Sequence, residues 1–192
     1  MRTLLLAACL VLAMLALGAY LISRQGFSAR PEGSAAEAWL AGQARAWSLP
    51  AAYREMRNPV ECSTAALAEA RAHWADHCAG CHANNGSGDS MLGRGMYPKP
   101  PDMRLPATQG QPDGGLYFTI KNGVRFTGMP AFGEPGDRDS ETWKLVCFVR
   151  HLPRIASEEE QEMKKLNPKT QDEIEEEREE QEFLNGKDGT KR

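Results

Sequence analysis

Cys78-Ala79-Gly80-Cys81-His82 decides the reading of this chain. Two thiols stand three positions apart and an imidazole follows at once, which is the attachment spacing of a c-type haem. Both thiols can form thioethers with the vinyl groups of one porphyrin, leaving the histidine held under the iron. A soft second ligand would close the metal, which suits electron transfer better than chemistry on a substrate. Two other uses of such a pair fit less well. A thioredoxin-like dithiol follows a strand in a βαβ unit, whereas the residues before Cys78 are alanine-rich and read as helix. A structural zinc site needs four ligands, and no second Cys-x-x-Cys exists. One covalent haem c is expected, with Cys78, Cys81 and His82 in contact with it.

Working outward, Leu4 to Ile22 is apolar almost throughout, between Arg2 and Arg24. Roughly 19 residues at about 1.5 Å each give a helix of ~28 Å, enough to cross a bilayer core. This is longer than the apolar stretch of a cleaved signal, and Gly18-Ala19-Tyr20 is a poor cleavage site. A transmembrane signal-anchor over residues 1–24 is expected, with Cys9 a lipid-facing thiol. The flanking charges do not orient it. A haem-loading, oxidising compartment does: a bacterial inner membrane with the haem domain facing the periplasm.

Composition falls into four blocks. After the anchor, residues 25–60 read as an alanine-rich juxtamembrane linker, with Ala35 to Trp47 an amphipathic helix lying on the membrane or on a partner. Residues 61–154 carry the turn residues, most aromatics and the haem motif. Residues 155–192 form an acidic tail, where half of the 26 acidic residues lie, so the formal charge of -3 hides a strong asymmetry. Such blocks are commonly solvated. One domain of this size is small for a self-sufficient core, and a bound porphyrin would supply much of its apolar interior.

Within that domain, Ser63 or Thr64 can cap a helix running to about His77, with Leu67, Ala70 and Trp74 on one stripe. The residues from Ala83 to Ser90 read as a loop, and the prolines between Pro98 and Pro101 bar a helix interior. Asp113 is expected to cap a short helix ended by Gly123. Asp139 or Ser140 starts a last helix with Trp143, Leu145, Val146, Phe148, Val149 and Leu152 on one broad face, stopped by Pro153. Cys62 precedes the first of these helices while Cys147 sits mid-helix, a placement that argues against their pairing.

These elements resemble a class I cytochrome c, all-α, of the small single-haem kind. The likeness rests on the helix ending in Cys78-x-x-Cys81-His82, the loop from Gly86 to Asp89, the proline cluster, the segment from Asn122 to Phe132 and the helix from Trp143 to Leu152. It covers about half the chain and leaves out the anchor, linker and tail. It implies that the first and last helices cross, with Ala70 and Trp74 facing Leu145, Phe148 and Val149. A proline-segment carbonyl (Pro98, Pro100 or Pro101) would receive the second N–H of His82.

Met129 is the candidate distal ligand. A thioether is soft, pairs with histidine on haem iron and raises its potential. Gly128 would let the backbone approach the porphyrin and Pro130 would stiffen the strap. Met91, Met96 and Met103 compete, but belong to the loop that the family runs around the proximal side. His73, His77 and His151 read as surface residues, as do Tyr97, Arg104 and Arg125. Trp143 reads as interface packing.

The expected protein is a membrane-anchored one-electron carrier rather than an enzyme. Its partners would be redox proteins or subunits of a respiratory complex, with no nucleic acid and no small-molecule substrate. Two alternatives stay open: a haem subunit of a larger oxidoreductase, or a haem enzyme or gas sensor if Met129 is not on the iron.

Overall fold

A run of 24 residues with neither proline nor acid builds α1 (Arg2–Gln25). Residues Arg2–Arg24 are long and apolar enough to cross a bilayer, with a mean hydropathy of 2.6 and nothing packed over them. The computed structural model describes residues 2–26, 28–133 and 139–184, and among these the secondary structure is helical with no strand. The expected all-α class is thus observed. The end of the acidic tail, from residue 185, lies outside the described residues.

Ser34 and Glu37 start α2 (Ala35–Ser48) with a reciprocal capping box. The Glu37 N–H donates to Ser34 Oγ at 3.2 Å and the Ser34 N–H to Glu37 Oε2 at 2.7 Å, so two otherwise orphaned donors are satisfied. No α2 residue is buried. A single turn, α3 (Ala51–Arg54), follows. Its Tyr53 packs against Phe118, ring centroids 4.9 Å apart, and near-parallel to Tyr117 at 6.2 Å. The linker is therefore no plain spacer: Tyr53 and Val60 near its end pack against the core.

Ser63 caps α4 (Thr64–His73), accepting from the Ala66 N–H at 3.2 Å. The helix does not stop at His77. It widens into a π turn, Trp74–Cys78, and runs on as α5 (Ala79–His82). Two single turns follow, α6 (Met91–Arg94) and α7 (Pro106–Gln109). The next helix is α8 (Asp113–Asn122). Asp113 does not cap it. It is the first helical residue, and its carboxylate accepts from Arg150 Nη2 at 2.7 Å and Nε at 3.0 Å, a two-pronged pair that fixes α8 on the last core helix.

That helix, α9 (Ser140–His151), is capped by Asp139, which accepts from the Thr142 N–H at 3.0 Å. A 3-10 turn at Leu152–Arg154 ends it. The stripe read from the sequence is buried: Trp143, Leu145, Val146, Phe148, Val149 and Leu152. Each such side chain removed from water contributes roughly 1.5–3 kcal/mol, so α9 anchors the domain. Ala70 lets α4 approach it closely, and the Trp74 and Phe148 ring centroids lie 5.5 Å apart. Trp143 stacks on Tyr117 at 4.1 Å.

Two expectations are corrected. Cys62 and Cys147 are bonded, with Cα atoms 5.4 Å apart, inside the range a disulfide tolerates. The stretch before α4 lies over the α4–α9 crossing, so the mid-helix cysteine meets it there. The Asn58 carboxamide also donates to the Trp143 carbonyl at 2.9 Å. The second correction concerns the tail. α10 (Ser157–Lys164) forms as a short helix, but its Met163 is 0 % exposed and part of the core. Arg71 holds it through Glu159 at 3.3 Å and Glu162 at 3.1 Å. Past it, Asn167 donates to the Ala75 carbonyl at 2.8 Å. Only α11 (Gln171–Leu184) matches a solvated acidic helix, exposed at every described side chain.

Candidate functional site

The π turn and α5 carry the Cys78–His82 run into the middle of the domain. The last carbonyls of α5 are all occupied. The Ser90 hydroxyl shares its one proton between the carbonyls of Gly80 at 2.7 Å and Cys81 at 3.0 Å, and the Gly88 N–H donates to the His82 carbonyl at 2.9 Å. Gly88 has φ +74°, and any side chain there would run into the Pro100 carbonyl. The left-handed geometry and the close approach both require glycine.

Cys78 and His82 line an apolar cleft. Trp74 of the π turn and Leu145 and Val149 of α9 line it as well, together with Ile120, Met129 and Phe132. His82 is 9 % exposed, and its Nδ1 is buried without a hydrogen-bond partner. Burial pushes its pKa down to about 4, so the ring is neutral at pH 7 and keeps a lone pair for a metal. Burial, with Cys81 beside it, pushes the Cys78 thiol up to about 12. A reactive redox pair needs the opposite shift. Cys78 and Cys81 are also not bonded to each other, in a chain that does form Cys62–Cys147. Apolar walls, an unpaired buried imidazole nitrogen and two adjacent thiols fit a covalently held porphyrin.

The Met129 segment is a closed strap. The Thr127 N–H donates to the Val124 carbonyl at 3.2 Å, the Met129 N–H to Thr127 Oγ1 at 3.1 Å, and the Val124 N–H to the Met129 carbonyl at 3.1 Å. Gly123, at φ +68°, makes room for it: a Cβ there would stand 2.7 Å from the Met129 carbonyl oxygen. Gly128 also lies against a methionine: a Cβ at this position would meet Met96 Cε at 2.9 Å.

Three further readings change. Met103 lines the same cleft as Met129. Its N–H donates to the Gly86 carbonyl at 2.8 Å and its carbonyl accepts from Gln109 Nε2 at 2.7 Å, which pins the backbone so that the side chain turns inward. Its place within the proline-rich loop gave no signal of this. The carbonyls of Pro98, Pro100 and Pro101 do not receive His82 Nδ1, because that atom has no partner; the Pro100 carbonyl instead packs on Gly88. His151 is half-buried and pairs with Glu159 at 2.9 Å, rather than facing water alone. His77 and Arg125 are exposed, and Arg104 pairs with Asp102.

Residues 65–149 match the model of a family described as cytochrome C oxidase, cbb3-type, subunit III. No curated protein matches the chain. The matched segment is a c-type cytochrome domain. Its cofactor is covalently bound haem c with iron, and its work is haem-based electron transfer.

Proposed function

We propose that this chain is a membrane-anchored one-electron carrier whose haem c would be attached through Cys78 and Cys81, with His82 and Met129 the residues that would hold its iron. The observation that carries this reading is the shared cleft, in which a thiol, a neutral buried imidazole and a strapped thioether converge between apolar walls. Bound there, haem supplies an iron that cycles between its ferric and ferrous forms. The residues do the rest. Trp74, Leu145 and Val149 keep water from one face, and a low-dielectric surround raises the cost of the more charged state. Thioether sulfur favours ferrous iron, so Met129 pushes the potential upward. With His82 and Met129 as the two ligands there is no position for a substrate, so the chain carries electrons and converts nothing.

The anchor is α1, and the haem domain faces the periplasm or its equivalent. The Cys62–Cys147 disulfide supports an oxidising compartment. A second reading is favoured by the name of the matched family: the chain is a haem subunit of a larger respiratory oxidoreductase. Copurification of other chains in mild detergent supports the subunit, and an isolated chain supports the free carrier.

Mass spectrometry of the detergent-extracted protein tests the main reading. The expected mass is the full chain plus one haem, with the haem retained after acid–acetone washing. Colour lost to the solvent, with Cys78 and Cys81 both open to alkylation, overturns it.

A further inference from the structure

The α2 helix presents large apolar side chains to solvent. Trp39 is 66 % exposed, Leu40 63 % and Trp47 85 %. At about 100° per residue these three fall on one side of the helix, with Gln43 the one polar side chain between them and Arg45 on the opposite side. Two acidic side chains, one on α2 and one just before it, reach the haem domain. Glu32 pairs with Lys99 at 3.0 Å. The Glu37 carboxylate is held below its usual range by Ser34 and then by the Tyr97 hydroxyl. At the other end, Arg54 donates from Nε to the Leu49 carbonyl at 3.1 Å and from Nη2 to the Trp47 carbonyl at 3.2 Å. The helix is thus fastened to the domain by its polar groups and turns its apolar side away from it. That is the reverse of how an amphipathic helix packs on its own core.

We propose that α2 lies in the interfacial layer of the bilayer, with Trp39, Leu40 and Trp47 among the headgroups and upper acyl chains and Arg45 in water. This inference rests on the reading of α1 as a membrane span. The chain brings the bilayer with it: residues 26–34 are all that separate the end of α1 from the start of α2, a reach of about 30 Å at most at ~3.5 Å per residue. Tryptophan favours this layer, where its ring is apolar and its N–H finds a polar partner. A tryptophan- and leucine-bearing stripe opposite an arginine, on a helix that is not hydrophobic overall, fits binding in the plane of the surface. Because Glu32 and Glu37 tie α2 to the domain and Arg54 fastens its C-terminal end to α3, the helix becomes a rigid foot. It sets the height and tilt of the haem domain over the membrane and directs the Tyr97–Lys99 side toward the lipid.

The test uses the full-length, haem-loaded chain carrying Cys9→Ser, with a nitroxide placed in turn on Leu40→Cys, Trp47→Cys or Arg45→Cys. All three positions are exposed, so the labels leave the fold intact. After reconstitution into phosphatidylcholine vesicles and flotation, collision rates with oxygen and with a water-soluble nickel complex are compared. The expected result is a preference for oxygen at positions 40 and 47 that reverses at 45. Floating protein with all three labels open to nickel overturns the proposal and leaves the anchor standing. Labels at 40 and 47 closed to both reagents place a protein surface there and overturn it as well. Protein that does not float removes the anchor itself, and the foot with it.

Discussion

The Trp74 indole N–H donates to the Ala83 carbonyl at 3.1 Å, closing a ring from the π turn to the residue just after His82. Ala83 has φ +62°, a conformation that costs a non-glycine residue roughly 1 kcal/mol or more. The indole therefore helps hold a strained exit from α5. Trp74→Phe keeps much of the ring volume but leaves the carbonyl short of a donor, at a cost of about 1–3 kcal/mol. Chemical denaturation of the holoprotein is expected to show a lower midpoint with an unchanged haem content. An unchanged midpoint would mean that the bond does not hold α5.

Met129 and Met103 line one cleft, and substitution separates them. In Met129→Ala the near-infrared sulfur-to-iron band of the ferric protein is expected to vanish and the potential to fall. In Met103→Ala the band is expected to survive, with a stability loss of about 2–5 kcal/mol at most for a truncated, partly buried methionine. The reverse pattern would assign the sulfur ligand to Met103.

Cys62 and Cys147 close a loop with a sequence separation of 85. The chain-entropy model gives such a link about 4–5 kcal/mol, and native disulfides deliver 2–5 kcal/mol when measured. Replacing both cysteines by serine is expected to lower the unfolding midpoint strongly while the visible spectrum of the folded protein stays the same. An equal midpoint in the double variant would show that the α4–α9 crossing holds without the link.

Burial raises the Glu159 carboxyl, but bonds from His151 and the Ala156 N–H, with the charge of Arg71, outweigh it and hold the pKa below 4.5. A carboxylate depressed in the folded state stabilises fully above its unfolded pKa. That contribution is lost as pH falls through the folded value. The docking of α10 is therefore expected to weaken below about pH 4.5 and to hold steady above it. In Glu159→Gln the weakening should be present at neutral pH already and nearly flat in acid. Hydrogen exchange at residues 157–166 across this range reads the effect; parallel acid profiles for both proteins would exclude Glu159 as its source.

What the sequence disclosed follows from how local each cause is. The apolar face of α9 and the Ser63 and Asp139 caps are short-range patterns, and they appear where periodicity and capping chemistry place them. The Cys78–His82 run is legible for the same reason. Met163 was hidden because its neighbours are Glu and Lys, and long-range pairs with Arg71, His151 and Ala75 bring its segment to the core. Tyr53 was hidden likewise: it is a lone aromatic between a linker helix and a polar stretch, given its place by Tyr117 and Phe118. The Cys62–Cys147 pairing and the inward turn of Met103 depend on where distant segments cross, which no local pattern encodes. Asp113 has the chemistry of a cap, but Arg150 competes for its carboxylate and wins.

The full burial of Met163 also decides where this protein can be cut. A fragment ending at Arg154 would leave a methionine-sized hole beneath α4 and lose the Asn167 bond to Ala75, so it should fray and aggregate. A soluble electron-carrying fragment needs to begin before Leu49 and run through Asn167, and removing α11 beyond that point should leave its melting behaviour untouched.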